Sequence, residues 1–82
     1  MSKIKSLVET FLKAKSTDEM ENLLLGLLTP KEVEEFAKRV EIVKLLKQGV
    51  AQHKIAAKLG VGVATVSRGA QQLKLKRFQV IS

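Results

Sequence analysis

Cysteine, tryptophan and tyrosine are absent from this chain of 82 residues. Without cysteine no disulfide can staple the fold and no thiolate can hold a metal. The single histidine, His53, excludes a histidine-rich metal site as well. Long apolar runs are missing too. The longest stretch dominated by apolar residues is LLLGLL, Leu23 to Leu28, far too short to span a bilayer. The N-terminus, MSKIKSLVETFLKAKS, carries Glu9 within its apolar pattern and has no small-residue cleavage site. It does not read as a signal peptide, so a cytoplasmic protein is expected. A chain this short buries a limited fraction of its surface. With disulfides and with thiolate and histidine-rich metal sites excluded, dimerisation is the expected extra source of stability.

Acidic residues are missing from the whole C-terminal part of the chain. The net charge is +7, and its distribution says more than its size. Residues 1 to 29 balance four lysines against four acids, and residues 30 to 48 hold five basic residues and four acids. After Glu41 no acid occurs, whereas Lys54, Lys58, Arg68, Lys74, Lys76 and Arg77 all follow. A merely solvated surface mixes both signs. An acid-free basic segment beside a balanced one is the footprint of a face that binds a polyanion, and nucleic acid is the expected partner.

Strand-like alternation is also lacking, and helical spacing fills the chain. Ile4, Leu7, Val8, Phe11 and Leu12 fall on one face of a first helix. Ser16 followed by Glu19 predicts a capping box and a second helix from about Thr17, with Met20 and Leu23 to Leu25 as its apolar residues. Thr29-Pro30-Lys31-Glu32 is the clearest start signal, since proline at the first helical position gives up an N–H that has no partner there. That third helix runs through Val33, Phe36, Ala37, Val40, Val43 and Leu46, with Ile42 and Leu45 widening its apolar arc, and Gly49 predicts its end. So wide an arc makes it the expected central element of a dimer. The tail, KLKRFQVIS, carries no clear signal: it either extends a helix or is ordered by contact with a partner.

Catalysis has little to stand on. Glu32, Glu34, Glu35 and Glu41 lie on a lysine-rich helix, where i to i+4 pairing accounts for them. No carboxylate neighbours His53 in sequence, and no serine sits in a nucleophile-elbow context. The chain is expected not to be an enzyme.

The stretch LGVGVATVSRG admits two readings at first sight. As a phosphate-binding loop it fails, because Thr65 stands where the third glycine of a dinucleotide fingerprint belongs, and no Gly-Lys-Ser/Thr follows. The residues before it, QHKIAAKL, are helical in spacing rather than strand-like. As a helix-turn-helix it fits throughout. Ala56 is small where two helices would cross, Gly60 supplies the positive φ of a tight turn, and Ile55, Leu59, Val61 and Val66 make the core between the helices. Gly62, Val63, Ala64, Ser67 and Gln71 are left on the outer face of the second helix, where they would meet base edges and thymine methyl groups. Lys54 and Lys58 on the first of the two helices are placed to meet phosphates, and Gln52 and His53 at its start complete the expected DNA-facing set.

LLTPKEVEEFAKRVEIVKLLKQG and ATVSRGAQQLK together resemble the Trp repressor family over roughly Gly26 to Lys74. The most specific elements are Leu-Thr-Pro, the Arg39-Val40 pair and the Ala-Thr-Val-Ser-Arg-Gly run. Trp repressors are among the standard examples of helix-turn-helix docking on DNA. The resemblance implies an all-α fold of about five helices in an intertwined homodimer that binds a palindromic double-stranded operator. It implies L-tryptophan, or a related small molecule, as co-repressor. Arg39 and Arg68 would then stack on either side of the indole. Leu28, Thr29, Thr65 and Gly69 would line the pocket, the 28–29 segment coming from the other subunit. In this reading residues 1–82 are one domain, with dimerisation helices over 1–49, the helix-turn-helix over 50–74 and a short tail over 75–82. The chain departs from the family pattern at Gln72, where a serine helps hold the ligand's amino group, and at Gly26, a pocket leucine. His53 replaces a basic residue, the turn before Gln52 is one residue shorter, and the long C-terminal helix is missing. A ligand-independent DNA-binding module of the same fold, and a helical protein-interaction adaptor, are the alternatives.

Overall fold

The computed structural model describes residues 2–82, and these form five α-helices with no strand among them. They are α1 (Lys3–Leu12), α2 (Thr17–Leu27), α3 (Pro30–Lys47), α4 (Gln52–Leu59) and α5 (Val63–Lys74). The expected all-α class and helix count hold. The chain divides within α3 into two compact units, the first ending at Glu34 and the second running from Glu35 to Ser82.

In the first unit side chains make the helix starts, at Ser16 and Thr29, which the sequence marks, and at Ser2, which it does not. The Ser2 hydroxyl accepts from the Lys5 N–H and begins α1. The Ser16 hydroxyl accepts from the Glu19 N–H at 3.1 Å, while the Glu19 carboxylate accepts from the Lys15 N–H at 2.7 Å. The capping box at α3 is fully reciprocal: Thr29 Oγ1 accepts from the Glu32 N–H, and Glu32 Oε1 accepts from the Thr29 N–H. Each such cap satisfies N–H groups that the first helical turn otherwise leaves without a partner. Neither α1 nor α2 contains a buried residue. Ile4, Leu7, Val8 and Leu12 of α1 and Leu25 and Leu27 of α2 stay exposed.

The second unit holds the buried core. Ile42 and Leu45 of α3 pack with Ile55 and Ala56 of α4 and Val66 of α5, and Leu46, Val50, Leu59 and Val61 close around them. The α3 residues therefore serve the helix-turn-helix as well as any wider interface. Only the C-terminal part of α3 is buried, since Phe36 and Val40 remain exposed. The helix ends as Gly49 predicts. With φ +83°, Gly49 lets its own N–H reach the Leu46 carbonyl and the Val50 N–H reach the Leu45 carbonyl. That pair of bonds is a Schellman motif. The tail does not extend α5. Leu75 to Val80 form successive turns, with Lys76 in the left-handed region at φ +60°.

Candidate functional site

The helix-turn-helix is built by α4, the Gly60–Gly62 turn and α5. Gly60 takes φ +66° and Val61 donates its N–H back to the Ala56 carbonyl, which closes α4 and redirects the chain. Ala56 is buried at the crossing, as its size requires, and Ile55 and Val66 are fully enclosed. Gly62 differs from Gly60. Its φ is −71°, and a Cβ added there would meet nothing within 4 Å. Nothing inside the chain requires a glycine at this position.

At about 100° per residue, α5 divides into three sectors. Val66, Ala70 and Leu73 form the least exposed one. Val63, Ala64, Ser67 and Gln71 share a second, on the outer side, and Val63, Ala64 and Gln71 are exposed. Lys74 falls in that same sector, three turns beyond Val63, and charge counting alone did not mark it as part of the face. Thr65, Arg68, Gly69 and Gln72 make up the third. On α4, His53, Lys54 and Lys58 are exposed. Gln52 is half-buried, and its Oε1 accepts a 2.8 Å hydrogen bond from the Ser67 hydroxyl. The two residues are therefore a coupled pair: Ser67 spends its proton on Gln52, and the glutamine amide N–H groups remain as donors. The expectation that Ser67 meets a base edge on its own has to allow for this tie.

The third sector opens on a cavity of about 490 Å³. Arg39, Ile42 and Val43 of α3, Thr65, Arg68, Gly69 and Gln72 of α5, and Arg77 and Phe78 of the tail line it. Four residues of the ligand set implied by the resemblance, Arg39, Thr65, Arg68 and Gly69, thus share one cavity. Leu28 and Thr29 belong to the first compact unit, and the Thr29 hydroxyl oxygen is engaged in the α3 cap. Gly69 also lets α5 approach α3, since a Cβ there would lie 3.2 Å from Ile42 Cγ2. The Arg39 guanidinium carbon sits 5.7 Å from the Phe36 ring centroid, within cation–π range. An adjoining hollow of about 300 Å³ is lined by Glu35 and Lys38 and shares Arg39, Ile42 and Thr65 with the first. The tail residues Arg77 and Phe78 were outside the sequence-derived set. Lys47 at the end of α3 positions them by donating from Nζ to the Phe78 carbonyl at 2.7 Å and to the Ile81 carbonyl.

Among the described residues there is no group of His, Asp or Glu that could hold a metal ion, and no helix is long and apolar enough to cross a membrane. Comparison with known proteins agrees with the geometry. The chain is 51% identical over 55 residues to a Trp operon repressor homolog of Vibrio vulnificus, a match covering 66% of this chain and 54% of that protein. It is 41% identical over 71 residues to the Trp operon repressor homolog of Vibrio parahaemolyticus, covering 85% of this chain and 69% of the relative. The homolog from Xylella fastidiosa is 36% identical over 69 residues, with 83% and 75% covered. The chain spans about half the length of the Vibrio vulnificus relative it matches. The sequence model of the family described as Trp repressor protein matches residues 2–81, and with its five helices and helix-turn-helix the chain belongs to that family.

Proposed function

We propose that this protein is a repressor-type regulator that binds double-stranded DNA in a sequence-specific way, as a homodimer on a palindromic operator. The observation that carries the reading is the outer face of α5. It presents Gly62, Val63, Ala64, Ser67, Gln71 and Lys74, with Lys54 and Lys58 exposed on α4, in a segment without a single acid. Small residues at the start of a reading helix let the backbone enter a major groove, and the lysines meet phosphates on either side. Gln52 and His53 join this face, Gln52 through amide N–H groups steadied by Ser67.

The homodimer is supported by the apolar stripe of α1, which the single chain leaves uncovered, and by the exposed Phe36 and Val40 of α3. Two such heads related by a dyad would meet successive major grooves about 34 Å apart. The cavity lined by Arg39, Thr65, Arg68 and Gly69 is the effector site in this reading, with tryptophan or a related planar acid as co-repressor. Leu28 and Thr29 of the partner protomer would close it.

The test is a gel-retardation series on a palindromic duplex selected from a random library. With three lysines per head, six per dimer, the slope of log affinity against log salt should be about −5. Salt-independent retardation, or no retained duplex at all, would overturn the reading. Substituting Lys54 or Lys58 should weaken binding to all sequences alike, whereas Gln71→Ala should relax sequence preference.

A further inference from the structure

The cavity between α3, α5 and the tail carries more positive charge than recognition of a neutral amino acid calls for. Arg39, Arg68 and Arg77 all line it, and no Asp or Glu does. Glu35 lines only the adjoining hollow. A guanidinium stays charged at every accessible pH. The three charges are therefore not compensated within the wall. The turn that carries Arg77 is held by the Arg77 N–H, which donates to the Gln72 carbonyl, and is tied to α3 by a contact that bridges 31 residues, the bond from Lys47 Nζ to the Phe78 carbonyl. The same turn brings half-buried Phe78 to the wall, which Ile42 and Val43 also line. The cavity has the volume typical of small-molecule sites, an apolar surface for a ring, and guanidinium forks for carboxylates.

We infer that Arg77 and Phe78 make this cavity a site for an aromatic acid of net negative charge, in preference to a zwitterionic amino acid. The inference rests on the reading of this cavity as the effector site. Its physical basis is a balance of charges. A zwitterion brings an ammonium into a field of three guanidiniums and so loses much of what its carboxylate gains. Gln72 adds only a neutral amide to the wall, so it cannot neutralise such a group. Each further negative charge on the ligand is instead stabilised.

Calorimetry in the absence of DNA tests this with three ligands that share a benzyl-bearing carboxylate skeleton. On the carbon next to the shared carboxylate, phenylalanine carries an ammonium, 3-phenylpropionate a hydrogen and benzylsuccinate a carboxymethyl group, which adds a second carboxylate. Affinity should rise in that order, with benzylsuccinate at least about tenfold tighter than phenylalanine at low salt. Arg77 is exposed, so Arg77→Gln leaves the core intact, and it should remove most of that spread. Lys47→Met, which alters no residue of the wall, should reduce the spread through the displaced turn, and Lys47→Arg should restore it. Equal affinities, tighter phenylalanine, no measurable binding of any of the three, or a spread unchanged in Arg77→Gln would each overturn the inference. Duplex retardation is read separately. Its failure would remove the operator reading while leaving the charge ranking in place, and ligand binding without any change in duplex affinity would remove only the effector role.

Discussion

Two glycines separated by a single residue, Gly60 and Gly62, do different work. Gly60 occupies φ +66°, a region where a Cβ costs roughly 1–2 kcal/mol. Gly60→Ala should therefore lower unfolding free energy by about that amount, read by urea denaturation at fixed protein concentration. Gly62 sits at φ −71° with open space around its missing Cβ. Gly62→Ala should leave stability within about 0.5 kcal/mol, yet weaken duplex binding, because the added methyl would stand between the helix start and the groove. The same pair of measurements on the two variants separates folding from recognition. At this scale the turn and its core were legible, because positive φ and a small crossing residue have sequence signatures. The Ser67–Gln52 bond was not. It joins positions 15 residues apart whose side chains each have several plausible partners, and only the packed geometry of α4 against α5 chooses one. The approach of Gly69 to Ile42 escaped for the same reason.

α2 and α3 begin where hydroxyl and carboxylate side chains cap them, so their starts were legible in Ser16, Glu19, Thr29 and Glu32, whereas α4 and α5 start at Ala51 and Gly62 without a side-chain cap. The tail had no cap and no periodicity, and its turns depend on Lys47, which lies far away in sequence. The wide apolar arc of the third helix predicts a dimer element, yet Ile42 and Leu45 belong to the helix-turn-helix core. Periodicity identifies an apolar arc but not the element that covers it. The reciprocal cap at Thr29 and Glu32 gives an expectation for α3 as an element: Thr29→Ala should cost about 1 kcal/mol in thermal or urea unfolding, and Thr29→Ser should recover most of it. A loss of a few tenths at most would mean that α3 is held by packing alone. Just beyond the C-terminal end of α5, Lys76 holds φ +60° with a side chain attached. Lys76→Gly should accordingly be neutral to mildly stabilising, by up to about 1 kcal/mol, in the same assay.

At the scale of the whole molecule, the question is what covers α1 and α2. Helices with no buried residue and an apolar stripe gain little from the single chain. The homodimer reading predicts a sedimenting species of twice the chain mass at micromolar concentration. Leu7→Asp combined with Leu12→Asp should shift it toward single chains, while the helices of the Glu35–Ser82 unit persist by circular dichroism. A wild-type chain that sediments as a monomer would contradict it. The central claim is that α4 and α5 engage duplex DNA through one face. Amide chemical-shift mapping on adding a selected duplex tests it most directly. The largest shifts should fall at Gln52 to Lys54, Gly62 to Ala64, Ser67 and Gln71. Unmoved signals throughout residues 52 to 71, or shifts confined to α1 and α2, would contradict the account.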